Sequence, residues 1–158
     1  YCSDILSVEV KNFVHSYSFP FDIIVNKKRG IEMRLKPDCV REILLDVEKR
    51  AIYGQTVNYL DPIDFQAFPN YSPNEVLYHI RQCHESGFFI GNTRFLYEGC
   101  IIKDLSPAGH EFLANIRKDT NWNKTKEIAQ SVGSTSLDVM KDIAAQVISN
   151  LISGQFSK

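Results

Sequence analysis

The chain of 158 residues is 44% hydrophobic and 23% charged, the proportions of one globular domain and not of a disordered or membrane-embedded polypeptide. Its 18 Lys and Arg against 19 Asp and Glu give a formal net charge of −1, which excludes a protein that is basic all over and leaves only a local patch for any nucleic-acid contact. Cys2, Cys39, Cys83 and Cys100 form no CxxC pair and no apolar run approaches the roughly 18 residues of a membrane span, so the expectation is a soluble cytoplasmic protein with reduced thiols, without a zinc ribbon, a disulfide framework or a membrane partner.

Residues 1–32, "YCSDILSVEVKNFVHSYSFPFDIIVNKKRGIE", show no sustained helical spacing, although "SVEV" and "DIIV" have strand composition. Arg29-Gly30 can be encoded by AGG-GGN, two codons ahead of Met33, where a bacterial ribosome-binding site would lie. Residues 1–32 are therefore expected to be a translated leader or non-native N-terminal extension, with the native product starting at Met33.

From Pro37, "PDCVREILLDVEKR" places Val40, Ile43, Leu44 and Val47 together, a first amphipathic helix with proline in its opening turn. Gly54, Pro62 and Pro69 break the following aromatic-rich segment into a long loop, with Ile63–Phe65 its best strand. Ser72, Pro73 and Glu75 form the start signal of a second helix, a serine cap with its capping-box glutamate. Val76, Leu77, Ile80 and His84 give that helix an inner face, and Gly87 ends it. The runs "FFIGN" and "RFLYEGCIIKDL" then predict a β-hairpin with its turn at Gly91-Asn92 or at Glu98-Gly99.

Ser106-Pro107 opens a third helix with Ala108, Phe112, Leu113 and Ile116 in its stripe. A fourth begins near Asn121 and carries Trp122, Ala129 and Val132, and a fifth after Gly133 aligns Leu137, Met140, Ala144, Val147 and Leu151. The expected fold class is α+β. Residues 33–118 make the core, and residues 119–158 supply C-terminal helices that pack on it or in a dimer interface.

The order helix, loop with short strand, helix ending in "ESGFF", hairpin, then "LSPAGHEFL" resembles the winged-helix pattern of bacterial regulators. More closely, "RLKPDCVREILLDVE", "SPNEVLYHIRQCHESGFF", "LSPAGHEFLANIRKDTNWNKTKE" and the closing amphipathic helix resemble the bacterial and phage family known as domain of unknown function 2513. The resemblance runs from Met33 to about Leu151 and implies a phage or prophage setting without implying a mechanism. One departure from a full helix-turn-helix stands out, since residues 51–71 offer a proline-broken loop where a supporting helix is expected.

If residues 72–86 form a recognition helix, its outward side chains are Asn74, Glu75, Tyr78, His79, Arg81, Gln82 and Glu85. Arg81 suits guanine, and Asn74 or Gln82 suits adenine, by bidentate hydrogen bonding in the major groove of double-stranded DNA. The expected nucleic-acid-binding set is Asn74, Tyr78, Arg81 and Gln82 on the helix with Arg94 and Lys103 on the wing, and Lys36 and Arg41 close by. His79 and Cys83, four apart, have the spacing of two metal ligands, with Cys100 or His110 to complete a site, but no second close pair anchors one and no metal or cofactor is expected. No nucleophile beside a base, paired carboxylates or glycine-rich phosphate loop is present, so the protein is not expected to be an enzyme. On the last helix Val139, Ile143, Ile148 and Ile152 form a second apolar line, the expected surface for a homodimer or a host protein. A non-catalytic protein-interaction module on the same scaffold is the alternative to DNA binding.

Overall fold

A computed structural model describes residues 33–156, and the leader expected at residues 1–32 lies outside the described residues. The elements in chain order are α1 (Pro37–Arg50), β1 (Val57–Tyr59), a 3-10 turn (Pro62–Phe65), α2 (Pro73–Glu85), β2 (Arg94–Phe95), β3 (Cys100–Ile102), α3 (Pro107–Ile116), α4 (Asp119–Val132) and α5 (Leu137–Phe156). The described residues are thus α+β, with five α-helices and one antiparallel sheet of strand order β1-β3-β2.

α1 forms where Pro37 pre-sets the first turn, and it buries Cys39, Val40, Ile43, Leu44 and Val47 along one stripe. The strand expected at Ile63–Phe65 is instead part of the 3-10 turn, and the strand lies earlier, at Val57–Tyr59. The reason is local. Val57 and Tyr59 alternate inward opposite Ile102 and Cys100, while Asp64 Oδ2 accepts the Leu60 and Asp61 N–H groups and closes a capping box around Pro62. Hydrogen bonds from residue i+3 to residue i then follow one another at Asp64–Asp61, Gln66–Ile63, Phe68–Phe65 and Tyr71–Phe68. The segment read as broken loop is therefore a chain of tight turns, and it delivers Phe65 and Phe68 onto the buried Tyr59 ring at 6.1 Å each.

α2 opens on the expected capping box between Ser72 and Glu75, but its inner face is rotated from the expected one. Val76, His79, Ile80 and Cys83 are buried, while Leu77 and His84 are only half-buried. His79, expected to face outward, is 1% exposed. Burial is tolerated because both ring nitrogens are satisfied: Nδ1–H donates to the Glu75 carbonyl at 2.7 Å, and Nε2 accepts the Lys36 N–H at 2.8 Å. Lys36 is the N-cap of α1 and has no side-chain cap of its own, so His79 supplies the α1 N-terminus with a partner from another helix.

That bond has a pH signature. Desolvation lowers the His79 pKa from the ordinary 6.5, so on the acid side of 6.5 the unfolded chain binds more protons than the folded one, and stability rises with pH there and levels off above it. Urea unfolding at pH 5 and pH 7.5 will show wild type weaker at pH 5, with a smaller difference in His79→Gln. An equal difference in the two proteins would contradict this role.

α3 begins at Ser106, whose hydroxyl donates to the Gly87 carbonyl and accepts the Gly109 N–H at 3.0 Å, while the Ser106 N–H donates to the Phe88 carbonyl at 2.8 Å. One residue thus ties the exit of α2 to the entry of α3, and Phe88 and Phe112 stack behind it at 5.1 Å. α4 ends at Gly133, φ +75°, where the N–H groups of Gly133 and Ser134 satisfy the last carbonyls. Val132 and Leu151, both expected on apolar stripes, are 61% and 51% exposed. Each stands past the last turn of its helix that packs, since burial stops at Ala129 on α4 and at Val147 on α5. No helix of the described residues is long and apolar enough to cross a membrane.

Candidate nucleic-acid interface

On α2 the positions that follow helical spacing away from the core are Asn74, Tyr78, Arg81, Gln82 and Glu85. Asn74, Arg81 and Glu85 are exposed, and Tyr78 and Gln82 are half-buried. Glu75 is half-buried, bound to the Ser72 cap and to the Lys36 ammonium. The Lys36 hydrogen bond, with the Ser72 N–H, pulls its carboxyl down to about 2.

The hairpin turns at Leu96–Gly99, closed by the Leu96 N–H on the Gly99 carbonyl at 2.8 Å. Of the two expected turn sites it is the one at Glu98-Gly99 that is used, and Gly91, φ +64°, instead marks a bend in the first arm. Gly99 is needed for close approach, because a Cβ there would lie 2.4 Å from the Tyr59 carbonyl oxygen. Arg94 pairs with Ile101 and Phe95 with Cys100. By strand alternation Arg94 and Lys103 share the outer face of the hairpin, whereas Phe95 faces α2. Arg81 reaches that inner side, its guanidinium carbon 5.0 Å from the centre of the Phe95 ring. The three cations therefore flank the edge strand β2, two on one face and one on the other.

Charge pairing separates these cations from many of the rest. Arg50 is spent on Asp46, Asp64 and the Asn58 carbonyl, Arg117 on Glu48, Lys126 on Asp38 and Lys124 on Glu127. Lys36 and Arg41, expected near the patch, are also committed. Lys36 pairs with Glu75, and Arg41 donates to the carbonyls of Ile116 and Arg117 and to Asp119, closing the end of α3. Arg81, Arg94 and Lys103 have no carboxylate partner among the described residues.

The metal spacing of His79 and Cys83 leads inward. His79 has both nitrogens occupied, Cys83 is fully buried with its thiol pushed up by desolvation, and the thiol of Cys100 is pushed up to about 12 by burial. Among the described residues no three His, Cys, Asp or Glu side chains gather as a metal site. The expected dimer line on α5 is split: Val139 and Ile143 are half-buried, with Ile143 against the core, Ile148 is half-buried and Ile152 is exposed. Ile148 and Ile152 line an open groove of about 500 Å3 with Ala114, Lys118 and Asn121. Sequence reasoning missed Phe95 and His84 as the aromatic contacts of the α2–hairpin corner, where the rings meet edge-on at 5.7 Å. Their pairing joins residues on different elements, and no local spacing signals it.

Comparison with known proteins agrees with the motifs. The family model described as "Hypothetical protein (DUF2513)" matches residues 34–136, from the residue after Met33 to the residue before α5. An "Uncharacterized protein" of Haemophilus influenzae is 30% identical over 123 residues, 76% of this chain and 99% of that protein. No solved structure matches the chain. With the capped α2, the Ser106–Gly109 junction and the Trp122 helix all inside the matched span, the chain belongs to the DUF2513 family.

Proposed function

We propose that the protein is a winged-helix DNA-binding regulator in which α2 is presented to the major groove of duplex DNA and the β2–β3 hairpin is the wing. The observation that carries this reading is the element order α1, β1, tight turns, α2, β2, β3 with β3 in the middle of the sheet, which resembles the connectivity of a winged helix. The chain of turns at residues 61–71 stands in for the supporting helix. The cations Arg81, Arg94 and Lys103, which have no carboxylate partner among the described residues, support the reading from the two sides of the hairpin, since phosphate neutralisation supplies most sequence-independent affinity.

Fluorescence anisotropy with duplex DNA from the gene's own upstream region, beside a scrambled duplex, tests this across a salt series. Wild type will bind in a salt-sensitive way and prefer the native duplex, and Arg81→Ala will bind more weakly. The double replacement of Arg94 and Lys103 by alanine will flatten the slope of log affinity against log salt by roughly 0.9 for each phosphate that is no longer neutralised. Absence of binding at low salt would overturn the reading. The exposed Leu96 and Tyr97 at the hairpin tip favour a second reading, a non-catalytic protein-interaction module on this scaffold, which predicts that absence.

A further inference from the structure

Four cations among the described residues lie over aromatic rings: Lys36 over Tyr71, Arg50 over Tyr59, Arg81 over Phe95 and Lys126 over Trp122. Three of them also hold a carboxylate, Glu75 for Lys36, Asp46 and Asp64 for Arg50, and Asp38 for Lys126. Arg50 shows the structural use of such a stack, with the guanidinium 4.8 Å from the Tyr59 centroid and its donors consumed by two carboxylates and the Asn58 carbonyl. Arg81 shares the stacking and lacks the pairing, for no carboxylate or carbonyl among the described residues takes its N–H groups. Its side chain is exposed, and the ring beneath it also meets His84, one turn further along α2, edge-on at 5.7 Å.

A guanidinium held on a ring loses part of its rotational freedom before any partner arrives, while its in-plane fork of donors stays available. The partner that suits this fork is a planar pair of acceptors, and on duplex DNA that is the O6/N7 edge of guanine. We infer that Phe95 is a positioning residue, which holds Arg81 ready for one guanine and so sets sequence specificity at that base pair. The inference rests on the DNA-binding reading above and adds to it a specificity determinant that touches no base.

The test uses the full chain, a random-duplex selection to find the preferred site, and affinities for that site and for its variants with each G·C pair changed to A·T. In wild type one such change will weaken binding by roughly 5- to 150-fold, the discrimination of a bidentate arginine–guanine pair. Phe95→Leu will lose most of that ratio while the salt slope stays within about one unit, because the charge remains. Phe95→Tyr, which keeps the ring, will retain the ratio, and Arg81→Lys, which keeps charge without the planar fork, will lose it. Far-UV circular dichroism and thermal unfolding establish that each variant is folded, and Phe95→Tyr keeps the test decisive if Phe95→Leu is not. Discrimination unchanged in a folded Phe95→Leu, or lost in a folded Phe95→Tyr, overturns the inference, as does a wild type that binds DNA without preferring any guanine. Failure to bind any duplex at low salt overturns the DNA reading as well, so the two failures are distinct.

Discussion

Replacing Trp122 by alanine will cost about 3–5 kcal/mol, the range for deleting a large buried aromatic. Trp122 is 2% exposed and joins α4 to the first turn of α1, its Nε1–H donating to Asp38 Oδ1 at 2.6 Å. Lys126, one turn on, covers the ring at 5.4 Å and donates to the same oxygen at 2.8 Å. Burial would raise the Asp38 pKa, but the hydrogen bonds from Lys126 and Trp122, together with the charges of Lys126 and Arg41, hold the carboxyl below its ordinary value. Truncation therefore opens a cavity and removes a donor from a charged acceptor, against a total stability of about 5–15 kcal/mol for a domain of this kind. Trp122→Phe keeps most of the apolar volume and leaves Lys126 on Asp38, so its cost will be smaller, about 1–2 kcal/mol. Chemical denaturation followed by circular dichroism measures both, and a loss below about 1 kcal/mol in Trp122→Ala would refute the clamp.

Gly109→Ala is the second large effect, and its sign is informative. Helix propensity alone predicts a gain for alanine over glycine, about 1 kcal/mol in a helix interior and less in a first turn such as that of Gly109. Here a Cβ would sit 2.3 Å from the Phe88 carbonyl oxygen and 3.1 Å from its carbonyl carbon. The obstacle is backbone and cannot rotate away, so α3 must move off the α2 exit and pull on the Ser106 bonds to Gly87 and Phe88. The expected result is a net loss of about 1–3 kcal/mol. Gly154, in an exposed turn of α5 where a Cβ would meet nothing within 4 Å, is the control, where alanine will be neutral or stabilising by up to about 1 kcal/mol. Thermal unfolding must show Gly109→Ala destabilised and Gly154→Ala not, or the close-approach account of Gly109 is wrong.

Much of this architecture is legible in short-range signals. Ser72 with Glu75, and Ser106 with Pro107, mark helix starts through local capping chemistry that needs no tertiary context. What the sequence hides is decided across elements. The inward turn of His79 depends on an orphan N–H 43 residues away at Lys36, which no helical periodicity reveals. The strand at Val57–Tyr59 is only three residues long and exists because β3 pairs with it, while Pro62 and Pro69 disguise the tight turns that carry Phe65 and Phe68 into the core. In the candidate interface, the positions of Asn74, Arg81 and Glu85 on the exposed side of α2 follow from helical spacing. The commitment of Lys36 and Arg41 to internal partners, and the seating of Arg81 on Phe95, require the packed fold.

The central claim, that α2 and the hairpin form a DNA-binding face, is tested most directly by titrating isotope-labelled protein with duplex DNA and mapping the amide shifts by nuclear magnetic resonance. The account predicts salt-sensitive perturbations concentrated on residues 74–85 and 94–103, with the α4–α5 pair largely silent. Perturbations confined to α5 and its groove, or none at low salt, would contradict it.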